Sequence, residues 1–216
     1  MAPSAAVKLP SSLMPNSKAS EVEDAPAPSF SYAEYREREQ ASETKHEFRN
    51  GKIVAMAGGT PDHARLASNV TAALVAQLRG RKCNVYSADL RVRVLATSLV
   101  TYADVNVVCS HLELDPEDAT NVLNPIVLVE VLSDSTEKYD RGDKFEHYKR
   151  IPSLKEYVLL SQHTPRIEVF RRNDDGSWPL HAAVTGPSGS ATLASIGCEL
   201  SVDEIYSDPF GTGAAR

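Results

Sequence analysis

Three residues in one stretch of this 216-residue chain have the types and the order needed to hold a divalent cation. Asp104 stands at the entrance of Val105-Asn-Val-Val108. Glu130 lies deep in Pro125-Ile-Val-Leu-Val-Glu-Val-Leu132. Lys144 follows in Asp140-Arg-Gly-Asp-Lys-Phe-Glu-His-Tyr148. The first two runs are short, β-branched and apolar, as strands buried on both faces are. A carboxylate deep in such a strand is costly unless its charge is compensated. A divalent cation compensates it, and two carboxylates on neighbouring strands suit Mg2+. Lys144, on a helix, would bring a positive charge to the same point. Taken singly, Asp104 reads as a turn or cap residue, Glu130 as an edge-strand side chain and Lys144 as part of a solvated helix face. Their occurrence in this order makes the case.

The elements that must position them follow from local signals. Residues 30–41 suit a helix, with Ser31 and Glu34 as a capping box. Residues 45–56 suit a hairpin, because Asn50-Gly51 supplies the two positive-φ positions of a tight turn. Glu47 then faces outward or into the site, depending on register. Thr60, Pro61 and Asp62 open a helix that stops at Gly80, and Leu66, Val70, Ala73 and Leu74 form its packing stripe. His63 lies on its first turn. Residues 84–95 alternate, so a half-exposed strand is expected, interrupted by a turn or bulge at Asp89. Its exposed face would carry Arg91 and Arg93, candidates for phosphate contact. Residues 104–109 and 126–132 are the central strands, joined by an acidic loop with Asp115, Glu117 and Asp118. Residues 135–150 carry the Lys144 helix, with Phe145 and Tyr148 facing inward. Further strands are expected at 156–160 and 166–171, a turn at Asp175-Gly176, weaker strands over 180–196 and a closing helical turn at 202–206.

Composition narrows the classes. An apolar share of 42% and a charged share of 24% are those of a globular domain of ordinary make-up. No apolar run approaches the length of a membrane span. A net charge of -6 argues against a general nucleic-acid binder, though a local basic patch survives such a balance. Cys83, Cys109 and Cys198 show no metal-binding spacing, so neither zinc nor a disulfide framework is expected, and reduced thiols in the cytoplasm are the default. Residues 1–29 are rich in Ala, Pro and Ser without a signal-peptide core, and read as a disordered extension. Residues 209–216 read as a flexible tail, leaving one domain over 30–208.

An Asp at one strand entrance, a Glu in the next strand and a basic residue beyond resemble the restriction-endonuclease-like superfamily, motif PD…(D/E)xK. Several phrases bring the chain closer to one branch. They are Glu47-Phe-Arg-Asn-Gly-Lys-Ile-Val, Gly58-Gly-Thr-Pro-Asp-His63, Ser87-Ala-Asp-Leu-Arg-Val-Arg-Val, Tyr102-Ala-Asp-Val-Asn-Val-Val, Val129-Glu-Val-Leu-Ser, Tyr139-Asp-Arg-Gly-Asp-Lys144-Phe-Glu-His-Tyr and Pro152-Ser-Leu-Lys-Glu-Tyr-Val-Leu. Together they resemble the Uma-two family over residues 32–206. Two positions depart from the superfamily motif: Ala103 stands in place of Pro, and Leu132 in place of the Lys two residues after the Glu. The family supplies its Lys from the following helix, here Lys144.

The resemblance implies an α/β (α+β) single domain, a mixed β-sheet flanked by helices. It implies Mg2+- or Mn2+-dependent hydrolysis of phosphodiester bonds in DNA. Asp104, Glu130 and the Val131 carbonyl would hold the metal, and Lys144 would act on the attacking water or the developing charge. Glu47 is a possible further ligand and His63 a possible substrate contact. Cutting both strands points to a homodimer. The alternative is a catalytically inactive nucleic-acid-binding or regulatory module on the same fold, favoured by Ala103 and Leu132.

Overall fold

The computed structural model describes residues 29–56 and 58–210. The first helix, α1 (Tyr32–Ala41), begins on the expected reciprocal cap: the Ser31 hydroxyl accepts from the Glu34 N–H, and the Glu34 carboxylate accepts from the Ser31 N–H at 2.7 Å. The hairpin of β1 (His46–Arg49) and β2 (Lys52–Ala55) turns on Asn50 and Gly51, at φ 50° and 75°. Helix α2 (Pro61–Leu78) starts on Thr60, whose side chain accepts from the His63 N–H, and buries Leu66, Val70, Ala73, Leu74 and Leu78.

The stretch expected as one half-exposed strand is two strands, β3 (Cys83–Ser87) and β4 (Arg91–Val94), which belong to different sheets. The turn at Asp89 separates them. Next come β5 (Leu99–Tyr102) and β6 (Val105–Cys109). The acidic segment expected as a loop is a hairpin of β7 (Leu114–Asp115) and β8 (Asp118–Val122). Then follow β9 (Val127–Leu132), α3 (Glu137–Arg141) and α4 (Asp143–Tyr148). The chain closes with β10 (Glu156–Ser161), β11 (Arg166–Arg171), β12 (Leu180–Thr185), β13 (Ser190–Leu193), β14 (Cys198–Ser201) and the turn of helix α5 (Val202–Ile205).

The α+β class holds, but with two large sheets rather than one. One runs β2-β1-β5-β4-β8-β7, the other β12-β11-β10-β9-β6-β3, and β13 and β14 pair separately. Both large sheets are mixed, through the parallel pairs β4–β8 and β9–β10. The second sheet is covered on both faces, as its apolar strands require. On one face Val127, Val129 and Val131 of β9 join α2 and the β13–β14 hairpin. On the other, Leu128 and Leu132 join Val92, Val94, Leu99 and Val122 of the first sheet and Phe145 and Tyr148 of α4. Glu130 lies on this second face, between Leu128 and Leu132.

The single helix expected over 135–150 is broken at Gly142. A Cβ there would sit 2.9 Å from the Lys138 carbonyl oxygen, so the backbone path between α3 and α4 needs a glycine. The proposed extension and tail fall on residues outside the described ones, apart from Ser29, Pro209 and Phe210. No helix among the described residues is long and apolar enough to cross a membrane.

The expectation of reduced thiols is corrected. Cys83 on the edge strand β3 lies directly opposite Cys109 on β6, and the two form a disulfide. Their separation of 26 residues gave no sign of this, because only the strand register brings them together. Cys198 is buried and free. The cysteine-based reason for a cytoplasmic location therefore falls away. Unfolded without reductant, the protein should take up one alkylating label per chain, on Cys198, by mass spectrometry. Cys83→Ser should lower unfolding stability by about 2–4 kcal/mol in urea titration.

Candidate active site

Register brings the two strand carboxylates together. Strands β6 and β9 pair antiparallel with Val105 opposite Val129, so the next step outward sets Asp104 against Glu130. Glu130 is 3% exposed. Its Oε1 accepts from the Lys144 ammonium at 2.8 Å and from the Tyr148 hydroxyl at 2.9 Å. The Asp104 Oδ2 accepts from the Val131 backbone N–H at 2.7 Å and stands 3.2 Å from His63 Nε2. Lys144, 4% exposed, lies on the first turn of α4. It also reaches Asp140 Oδ1 at 3.4 Å, Glu47 Oε1 at 3.7 Å and the Tyr102 carbonyl oxygen at 3.4 Å. Glu47 points inward from β1 and accepts from the Thr101 hydroxyl.

Glu47, His63, Asp104, Glu130, Asp140 and Lys144 line a cavity of about 460 Å³ together with Arg49, Gly59, Thr60, Tyr139 and Gln162. His63 fits there because residue 59 has no side chain; a Cβ on Gly59 would lie 2.9 Å from the imidazole Nδ1.

Burial sets the charges. It pushes the Glu130 carboxyl well above the usual carboxylate range, with Lys144 acting in the opposite sense. Burial raises Asp140 as well, again against the pull of Lys144. For Lys144 burial works against the ammonium, but Glu130, Asp140 and Glu47 outweigh it and hold the amine protonated well above its ordinary value. The hydrogen bond to Asp104 raises His63.

The donors present are hard oxygens, the kind Mg2+ and Mn2+ take. Among the described residues no three His, Cys, Asp or Glu side chains converge as a ready-made cage. Mg2+ needs no such cage, since it commonly keeps several waters and takes one or two carboxylates. Asp104 and Glu130 are such a pair, so the residues fit the ion in donor type.

The structure thus brings Asp104, Glu130, Lys144, Val131, Glu47 and His63 to one cavity. It does not bring Arg91 and Arg93 there. Both were expected on an exposed face, and this is corrected. Arg91 is buried and bonds Asp118 at 3.0 Å and the Thr120 hydroxyl. Arg93 pairs with Asp115, bonds Glu117 at 3.0 Å and lies 3.6 Å over the Tyr32 ring. The acids of the β7–β8 hairpin consume both guanidinium groups. Leu132 is core, 2% exposed. Sequence reasoning missed Asp140 and Tyr139. The signal for Asp140 was its place four residues before Lys144, and the two side chains meet across the break between α3 and α4.

Comparison with known proteins gives the chain's family and a neighbour in fold. The profile of the Uma2 family, described as "putative restriction endonuclease", matches residues 32–203. The chain belongs to the Uma2 family. An uncharacterized protein of Synechocystis sp. is 36% identical over 185 residues, covering 84% of this chain and 94% of that one. A second from the same organism is 32% identical over 148 residues, 68% of this chain and 84% of that one. Among solved structures, a "putative nuclease belonging to DUF820" from Anabaena variabilis shares the fold. Its TM-score is 0.62 at 16% identity, covering 76% of this chain and 91% of that one. Family and fold together support a nuclease-like function for this Uma2 protein.

Lys144→Met should destabilise the protein by about 3–5 kcal/mol in urea unfolding, because Glu130, Asp140 and Glu47 lose their shared cation. Adding Glu130→Gln should recover part of that loss. The His63–Asp104 pair gives a pH signature of definite sign. A raised folded-state His contributes stability fully below its unfolded value, about 6.5, and loses it as pH rises through the folded value. Asp104→Asn should flatten the stability profile above about pH 6.5. An unchanged profile would show the pair to be energetically silent.

Proposed function

We propose that this Uma2 protein is a Mg2+-dependent endonuclease that hydrolyses phosphodiester bonds in DNA. One observation supports the reading above the others: Asp104, Glu130 and Lys144 all line one cavity, with the Glu130–Lys144 pair 2.8 Å apart. Asp104 and Glu130 would hold the ion, with the Val131 carbonyl and Glu47 as further candidate oxygens. The chemistry Mg2+ would supply there is activation of a water and compensation of the charge that builds on the phosphate. Mn2+ would serve in the same place. Lys144, set among Glu130, Asp140 and Glu47, would act as a positive charge toward the attacking oxygen and the developing phosphorane. The water oxygen would bond to phosphorus and release a proton to solvent, the bond from phosphorus to the leaving sugar oxygen would break, and that oxygen would take up a proton from solvent. Cutting both strands of a duplex requires two such centres, which a homodimer would supply.

A second reading rests on the same pair. Lys144 already neutralises Glu130 without any ion, as in a module that keeps the fold and binds nucleic acid without cutting it. Calorimetric titration with Mn2+ separates the two: the nuclease should bind the ion, and Asp104→Ala should abolish that binding. In the decisive assay, plasmid and single-stranded DNA are incubated with Mn2+, Mg2+ or EDTA. Cleavage should require metal and fall by at least about 100-fold in Glu130→Ala, roughly the loss of one strong charge-stabilising contact. Metal-independent cutting, or cutting that survives Glu130→Ala, would sink the nuclease reading.

A further inference from the structure

The cavity carries more negative than positive charge. Glu47, Asp104, Glu130, Asp134 and Asp140 line it, against Arg49, His63 and Lys144. A nucleic-acid strand brings further negative charge, so its approach needs a cation not already spent. Lys144 is committed to Glu130, Asp140 and Glu47. His63 is committed to Asp104. The arginines expected from the sequence to meet phosphate are committed to the β7–β8 hairpin.

Arg49 is different. It ends β1 and lines the cavity with its side chain 32% exposed. Its nearest carboxylate among the described residues is Glu47 Oε2, at 3.9 Å, beyond hydrogen-bonding distance. The guanidinium carbon lies 4.3 Å from the centre of the Tyr139 ring. Set over the ring, the guanidinium keeps its charge, and no side chain among the described residues takes its N–H groups in hydrogen-bond geometry. The Tyr139 hydroxyl is buried and meets no partner in full hydrogen-bond geometry, but it lies close enough to Arg49 to interact with it, so ring and hydroxyl both brace the guanidinium. A planar fork held on an aromatic face is the geometry that takes a phosphate through two parallel N–H···O bonds.

We propose that Arg49, braced by Tyr139, binds a backbone phosphate of the DNA strand at the mouth of the cavity. The inference rests on the nuclease reading for its ligand, a phosphodiester anion. Arg49 is a binding residue, and Tyr139 a positioning residue that acts through it.

The test is binding of a fluorescein-labelled DNA oligonucleotide to the full chain. Anisotropy is read with Ca2+ in place of Mg2+ over a series of salt concentrations, and a gel checks that the probe stays intact. Arg49→Met should weaken binding at least tenfold and lower the slope of log affinity against log salt by about one. Arg49→Lys should restore the slope but only part of the affinity, since a point charge keeps the ion release and loses the fork. Tyr139→Leu should weaken binding with the slope kept. Arg79→Met, at the other end of α2 from the cavity, should match the wild type. Thermal melts of each variant verify folding, and Arg49→Gln serves if the Met variant melts early. Binding by Arg49→Met within twofold of wild type at unchanged slope overturns the proposal, as does a wild type that does not bind the probe. The two readings fail separately. Arg49-dependent binding without metal-dependent cutting removes the nuclease alone, and metal-dependent cutting with Arg49-independent binding removes the arginine alone.

Discussion

A single ammonium group, buried among carboxylates, is the constraint on which this structure turns. Glu130 sits on a strand face otherwise made of Leu128 and Leu132, opposite Leu159 of the next strand. An unpaired carboxylate there would be expelled to solvent or would take a proton. Lys144 allows it to stay, and Asp140 and Glu47 hold the lysine in turn. These four charges come from three separate parts of the chain: β1, β9 and the α3–α4 corner. The fold must bring those parts within a few ångströms of one another for any of the charges to be tolerable. The electrostatics therefore select the same arrangement that the apolar packing does.

The first large sheet serves that arrangement from outside. Its strands β4, β5 and β8 close the face of the central sheet that carries Glu130, with Val92, Val94, Leu99 and Val122 in contact with Leu128 and Leu132. On the far side of the same strands lies another charge layer, where Arg91 and Arg93 meet Asp118 and Asp115. That layer anchors the β7–β8 hairpin and α1, through Arg36, Tyr32 and Asn121. It has no part in the cavity. Two polar clusters separated by one apolar layer explain why a chain this acidic still folds around well-paired charges.

Much of this was legible in the chain. Asn50-Gly51 and the Ser31–Glu34 box announced their elements because the signals are local and backbone-driven. Glu130 stood out because a carboxylate inside an apolar run has few harmless explanations. Asp104 and Lys144 joined it through order alone. What stayed hidden depended on partners far away in sequence. Arg91 and Arg93 alternate with Val92 and Val94 as in a half-exposed strand, yet the acids that bury them come from the following hairpin. Cys83 and Cys109 meet only through register. The division into two sheets hung on β3 and β4 joining different partners, which no local signal encodes. Asp140 went unnoticed, because its contact with Lys144 spans the break at Gly142, which could not be located from glycine alone.

Delivering the amine from a helix has an effect on position 132. In a strand that carries its own lysine two residues after the glutamate, one side chain has to serve both chemistry and packing. Here Leu132 is released to the core, where it meets the same cluster as Tyr148 and Tyr157. Rigidity and reactivity are thereby assigned to different elements: β9 can be as oily and as inflexible as its neighbours allow. The orientation of the charge is set by a short segment whose pitch is governed by one glycine, and changes in that segment can retune the centre without loosening the sheet beneath it.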